Sequence, residues 1–246
     1  MPRMSADDSR STTARALAVL DVVAQATVSG MTLSQIAEAA HLPVPTAHRY
    51  VKELVGWGGL ERSDGGTYRL GMHLWQLGTQ ARWDRTVRQV SAPILDKLAH
   101  TTGVAACIAS YIDGRVVTID RRWGRTTSTW ISPVGVAIPA ESSTAGRAIV
   151  GARGSADEFA PFMPGASHEE VVAEFERTKA LGYSASFGLL HEAQGALSVA
   201  VPGKFAQDLA MTLVYPADEQ DVVRHVDQLR LAAAALAVAL RRDSEG

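Results

Sequence analysis

Residues 32–70 constrain this chain more than any other stretch, because they read as helix, turn, helix and tight hairpin in immediate succession. Thr32 and Gln35 have the spacing of a capping box, in which the hydroxyl takes the third helical amide and the Gln side chain reaches back. Met31 and Ile36 stand where a hydrophobic staple would sit, and Leu33, Ile36, Ala37 and Ala40 form one apolar stripe. His41-Leu42-Pro43 interrupts this helix, since a residue before proline is pushed out of the α region.

A second helix is expected to start around Pro45, because proline is tolerated in a first helical turn. Its inward stripe is Ala47, Tyr50, Val51 and Leu54, at i, i+3, i+4 and i+7. Pro45, His48, Arg49 and Lys52 lie opposite, with Thr46 beside them, and Gly56, Gly58 and Gly59 stop the helix. Leu60 and Arg62 then face Tyr68 and Leu70 across a turn whose Asp64-Gly65 step offers a positive φ cheaply. This is the order of a winged helix-turn-helix, in which the second helix enters the major groove and the hairpin touches the backbone. The same pieces also occur as a plain packing unit, with His48, Arg49 and Lys52 an ordinary solvated face. Local charge does not separate the two readings. Between residues 43 and 69, Arg49, Lys52, Arg62 and Arg69 stand against Glu53, Glu61 and Asp64, a net of +1. Phosphate contacts would therefore draw partly on helix N-termini, backbone amides and hydroxyls.

At 246 residues the chain has room for two domains with separate cores. A net charge of −2 argues against a protein that coats nucleic acid by charge alone. Its one cysteine, Cys107, lies in an apolar run and reads as a buried structural thiol, with no internal disulfide or cysteine-based zinc site possible. The N-terminus lacks the apolar core of a signal peptide, and no apolar run approaches the roughly 18 to 20 residues that span a bilayer. A cytoplasmic protein without metal or cofactor is expected.

Residues 1–10 are polar and expected to be disordered; residues 11–26 form a helix behind the helix-turn-helix, closed by residues 27–30. Residues 72–84, with Leu74, Leu77 and Ala81 at helical spacing, read as a linker helix, followed by Arg82, Arg85 and Arg88 on a solvated face or in a salt bridge. After a further helix ending near Gly103 the period changes. Strands are expected at 104–112 and 116–119 around Asp113-Gly114, at 126–131, at 196–201 and at 208–215. Helices are expected at 144–150, capped by Ser142 or Ser143, at 167–181 and at 218–240. From about residue 85 onward this makes an α/β domain with a mainly antiparallel sheet flanked by helices.

Together these motifs resemble the IclR family of bacterial transcriptional regulators. The likeness rests on A-R-A-L-A-V-L in the first helix, L-x-x-I-A-E-A-A-H-L-P-V-P-T-A-H-R in the helix-turn-helix and D-G-G-T-Y-R-L-G after it. L-A-H-T-T-G-V, V-V-T-I-D-R, V-G-V-A-I-P-A and S-S-T-A-G-R-A continue it in order, so nearly the whole chain is covered, more loosely towards the C-terminus. The resemblance implies an α+β protein: a winged helix-turn-helix domain over 11–71, a linker helix over 72–85 and a GAF-like domain over 86–246 that binds a small effector. It implies a homodimer or homotetramer on a palindromic double-stranded operator beside catabolic genes. The family usually has a small residue or lysine where this chain has Val44 and Pro45, while T-A-H-R is intact at residues 46–49. The DNA contacts so implied are Thr32, Ser34, Pro45, Thr46, His48, Arg49, Lys52, Thr67 and Arg69. Arg49 is assigned to a base edge or phosphate, and Thr46 and Lys52 to phosphates.

In the effector domain the family commonly reads H-A-T-A-x-G-K-A where this chain has E-S-S-T-A-G-R-A at residues 141–148, without the histidine and lysine. Ser198 replaces a frequent cysteine, and Thr212 and Val214 replace frequent serines. A pocket with few charges follows, suited to an aromatic or uncharged ligand over a small keto acid. Its implied lining is Trp130, Ile138, Ser143, Thr144, Ala145, Ser198, Thr212 and Tyr215; for Trp130 and Tyr215 a place in the core is the rival reading. An enzyme is the rival class, with Ser142 or Ser143 near His168 or His191 as an acyl-transfer site. No G-x-S-x-G, S-x-x-K, H-E-x-x-H or P-loop is present, and a capping serine explains residues 142–143 with less assumed. A ligand-free oligomerisation scaffold is the third possibility.

Overall fold

The computed structural model describes residues 11–26, 30–80, 83–125, 131–189, 194–204, 206–216, 221 and 223–245. The chain divides into two compact units, one up to residue 81 and the other from residue 82. Several expectations fall on residues outside those described: the disordered start, the turn at 27–29, most of the strand at 126–131, Trp130, Arg82, His191 and the proposed helix start at 218. Among the described residues, no helix is long and apolar enough to cross a membrane.

The N-terminal unit consists of α1 (Thr12–Ala24), α2 (Leu33–Ala39), α3 (Val44–Trp57), β1 (Leu60–Arg62), β2 (Tyr68–Leu70) and α4 (Met72–Gly78). Its core is Val19 and Val23 of α1, Ile36 of α2, Tyr50, Val51 and Leu54 of α3, and Leu60 and Tyr68 of the hairpin. The capping box forms as the sequence implies: Thr32 accepts from the Gln35 amide, and Gln35 accepts from the Thr32 amide at 2.8 Å. The break after α2 has a sharper cause than the proline. His41 adopts φ 53°, its amide bonds to Glu38 O, and the Leu42 amide reaches back to Ala37 O at 2.8 Å. That pair of bonds is a Schellman ending built on histidine rather than glycine.

Gly58 closes α3 at φ 81°. A Cβ on Gly71 would lie 2.1 Å from Gly58 O, so the strand leaves the hairpin through a gap that only glycine fits. Two expectations are corrected here. The hairpin pairs Leu60 with Leu70 and Arg62 with Tyr68, but its positive φ falls on Gly66, while Gly65 carries none. The helix expected over 72–84 ends at Gly78, a residue of low helical propensity, and Trp83–Arg88 instead forms a π-helical turn. α4 buries none of its own residues, and Trp75 and Leu77 stand exposed.

The second unit is a six-stranded antiparallel sheet in the order β5-β4-β3-β8-β7-β6. Its strands are β3 (Ala105–Ile112), β4 (Arg115–Arg122), β5 (Ala137–Pro139), β6 (Ser184–Phe187), β7 (Gly195–Ala200) and β8 (Leu209–Tyr215). Asp113 and Gly114 both take positive φ in the β3–β4 turn, the conformation that matches strand twist in a two-residue hairpin. One face of the sheet packs on α5 (Gln89–Thr102) and α9 (Val226–Glu245) through Leu95, Leu98, Leu229, Leu236, Leu197, Met211 and Leu213. The other face meets α6 (Thr144–Arg153), α7 (Ala156–Phe159) and α8 (His168–Leu181) through Ile149, Phe159, Phe162, Val171 and Phe175. Among the described residues the final helix runs over Val226–Glu245 and is preceded by a turn at 223–225. The molecule is an α+β protein with helices on both faces of its C-terminal sheet.

Candidate functional site

α3 presents a polar face because its apolar stripe is spent on the core. Ala47, Tyr50, Val51 and Leu54 are buried; Pro45, His48, Arg49 and Lys52 are exposed, and Thr46 is half-buried. Arg49 lies along its neighbour, with its guanidinium 5.1 Å from the Tyr50 ring centre and a 3.4 Å bond to the Tyr50 hydroxyl. The residue is otherwise exposed. Ser34 is exposed on α2. The other expected contacts have local duties: the Thr32 hydroxyl caps α2, Thr67 shares its hydroxyl with Ser63 at 2.8 Å, and Arg69 pairs with Glu61 at 3.3 Å. An exposed pair of that kind contributes little, so Arg69 can exchange Glu61 for another anion.

In the second unit a pocket opens where the N-terminus of α6 meets the sheet. It encloses about 600 Å³, part of it open solvent. Ser143 caps α6 by accepting from the Ala145 amide at 3.2 Å, and Ser143, Thr144 and Ala145 line the mouth of the helix. Ile138, Val116, Ala109 and Val214 supply apolar wall, and Thr212 and Cys107 the floor. Behind them runs a buried chain of hydroxyls: Thr144 Oγ1 lies 2.8 Å from Ser198 Oγ, which lies 2.8 Å from Thr212 Oγ1. Ser132 lines the same pocket, and its Oγ is buried without a hydrogen-bond partner among the described residues. No charged side chain and no histidine is among the described lining residues.

Burial pushes the Cys107 thiol up to about 12, with the Thr212 hydroxyl and the Arg121 charge offsetting this only in part. A thiol held in its neutral form is a poor nucleophile. The described lining residues of the pocket offer hydroxyls, helix amides and apolar walls.

Of the residues expected here, Ile138, Ser143, Thr144, Ala145 and Thr212 come together. Ser198 sits behind the wall, fixing Thr144 and Thr212. Tyr215 does not line the pocket. It lies on the α5–α9 face, stacked on His225 with its hydroxyl 3.3 Å from Nδ1. Thr212 and Tyr215 are three apart on one strand, and alternation sends them to opposite faces. Trp130 falls outside the described residues. Cys107, Thr118, Ser132 and Ser186 line the pocket and were missed as site residues. Cys107 is opposite Thr212 in the β3–β8 register, a relation that only strand pairing reveals.

The IclR helix-turn-helix domain model matches residues 12–64. The transcriptional regulator XynR of Escherichia coli is 26% identical over 244 residues, covering 92% of this chain and 95% of its own length. TtgV of Pseudomonas putida, also a transcriptional regulator, is 29% identical over 124 residues, 50% of this chain and 47% of TtgV. Among solved structures, an IclR homologue from Microbacterium hydrocarbonoxydans, complexed with 4-hydroxybenzoate, superposes with a TM-score of 0.81 at 26% identity. The match covers 94% of this chain and all of that one.

Proposed function

We propose that this transcriptional regulator of IclR type, with its helix-turn-helix over residues 12–64, reads its operator with the outer face of α3 and is controlled by a small, weakly polar ring compound in the α6 pocket. α3 enters the major groove, with Arg49 on a base edge or phosphate and His48, Thr46 and Lys52 beside it. Ser34, the hairpin and the start of α2 reach the sugar-phosphate ridges, where amides and hydroxyls supplement a weak local charge. The protein works as a homodimer or homotetramer on a palindromic site, since a two-fold assembly pairs two recognition helices with two half-sites.

The observation that carries the ligand class is the neutral lining of the pocket. A small keto acid would bring a carboxylate to the α6 amides but too little apolar surface to cover the walls formed by Ala109, Val116, Ile138 and Val214. A planar ring suits the apolar walls, and a hydroxyl, amide or single carboxylate at one end suits the amides that open α6. A second polar group can satisfy Ser132, whose hydroxyl lacks a partner among the described residues. The Microbacterium hydrocarbonoxydans homologue, bound to 4-hydroxybenzoate, supports a ligand of this kind. Control of DNA binding requires the ligand to favour one arrangement of recognition helices over another, through the difference in its affinity for the two.

Calorimetric titration of the full chain with 4-hydroxybenzoate, benzamide and pyruvate tests this reading. The ring compounds should bind and pyruvate should not. Ser132→Ala should leave the ligand-free melting temperature unchanged, because the hydroxyl has no bond to lose, and weaken ring binding by about 5- to 10-fold, the worth of one hydrogen bond. Binding of pyruvate in preference to both ring compounds would make the ligand class wrong.

A further inference from the structure

A second cavity lies between α6, α8 and β6, with about 550 Å³ of space that includes open solvent. Arg147, Glu174, Arg177, Thr178 and Ser184 line it, and its character is the reverse of the first pocket. Five buried side-chain polar atoms lack a partner among the described residues, and two of them, Arg147 Nε and Ser184 Oγ, belong to the walls of this one cavity. Ser184 is 4% exposed.

The charges here do not balance. Glu174 gives both oxygens to Arg177, with Nε and one terminal nitrogen at 2.7 and 2.8 Å. Arg147 is left with a 4.0 Å approach to the same carboxylate, a 2.8 Å bond to Phe162 O and a place 5.8 Å from the Phe159 ring centre. Two guanidinium groups thus share one carboxylate, and the inner one has no full partner. Burial lowers the Arg147 pKa ahead of the opposing pull of Glu174, which agrees with an under-compensated cation. Arginine cannot shed its proton to relieve this, so a counter-ion is its remaining route.

We infer that this cavity is a binding site for a small oxyanion, a carboxylate or phosphate group, held by Arg147 and the Ser184 hydroxyl with Arg177 at its side. Arg147, Arg177 and the hydroxyls of Thr178 and Ser184 can all donate, Glu174 is already occupied by Arg177, and guanidinium–oxyanion bonds are among the stronger ones. The two orphan atoms have no solvent contact, so the anion reaches them through a rotamer change of the kind common on binding. The site is distinct from the α6-mouth pocket but built on the same two elements. Ser186 of β6 lines the first cavity and Ser184 the second; residues 143–145 of α6 line the first and Arg147 the second.

The test uses the full chain in chloride buffer at constant ionic strength, titrated separately with inorganic phosphate and with acetate and followed by calorimetry and thermal shift. At least one anion should bind saturably and raise the melting temperature, and which of the two does so names the source. Ser184→Ala should bind that anion at least tenfold more weakly, with a ligand-free melting temperature no lower than wild type and unchanged affinity for 4-hydroxybenzoate. Arg147→Gln should lose the anion response altogether; should it fail to fold, Ser184→Ala decides alone. The assignment is overturned if neither anion binds saturably, or if Ser184→Ala binds it as tightly as wild type.

Discussion

The two units of this chain carry their chemistry in opposite directions. In the N-terminal unit the polar side chains face outward from a single 14-residue helix whose other side is core. In the C-terminal unit they face inward, into a pocket assembled from all six strands of the sheet, the start of α6 and the loops around them. A surface that reads DNA needs only one helix held firmly at its back, because the partner supplies the other half of the site. A pocket must supply every wall itself, so its residues come from positions as far apart as Cys107 and Thr212. Recognition outward is therefore a short-range property of sequence, and recognition inward a long-range one.

The largest effect that sharpens this contrast should come from the sheet. Leu213 is fully buried between the sheet and the α5–α9 layer. Leu213→Ala should cost about 2–5 kcal/mol of stability in the second unit. Hydrogen exchange should show faster exchange throughout β3, β7 and β8, while α2 and α3 keep their protection. Equal loss of protection in α3 would mean that the two units do not fold as separate bodies. A smaller effect is expected from the other side. Thr32→Ala removes both the cap of α2 and its half of the capping box, worth about 1 kcal/mol. Exchange should quicken within Leu33–Ala39, and the sheet should be unaffected.

The contrast also explains what was legible in the residues alone. The α3 stripe, the Thr32–Gln35 box and the Leu60–Leu70 pairing are all settled within a few positions of themselves, and each stands in the structure as its spacing implies. Turn details were harder, since two adjacent glycines at 65 and 66 offer the same φ freedom and only the closed hairpin selects Gly66. α7 was missed although Ser155 and Glu158 form a capping box, because the helix behind that box is a single turn. In β8 every residue is buried, so apolar periodicity could not assign faces. Parity alone nevertheless separates Thr212 from Tyr215. Ser132 and Cys107 could not be found without the register of strands distant in sequence. The Arg147–Ser184 cavity is of the same kind, joining a helix to an edge strand that the sequence reading did not identify.

Arg49 offers the most direct measurement. Binding of the full chain to duplex DNA from its own promoter region, at one fixed salt concentration, should weaken by about 5- to 150-fold in Arg49→Ala, the 1–3 kcal/mol typical of a base-edge contact. Affinity for 4-hydroxybenzoate should stay at the wild-type value. Operator affinity unchanged by that substitution would contradict the claim that the outer face of α3 is what this protein presents to DNA.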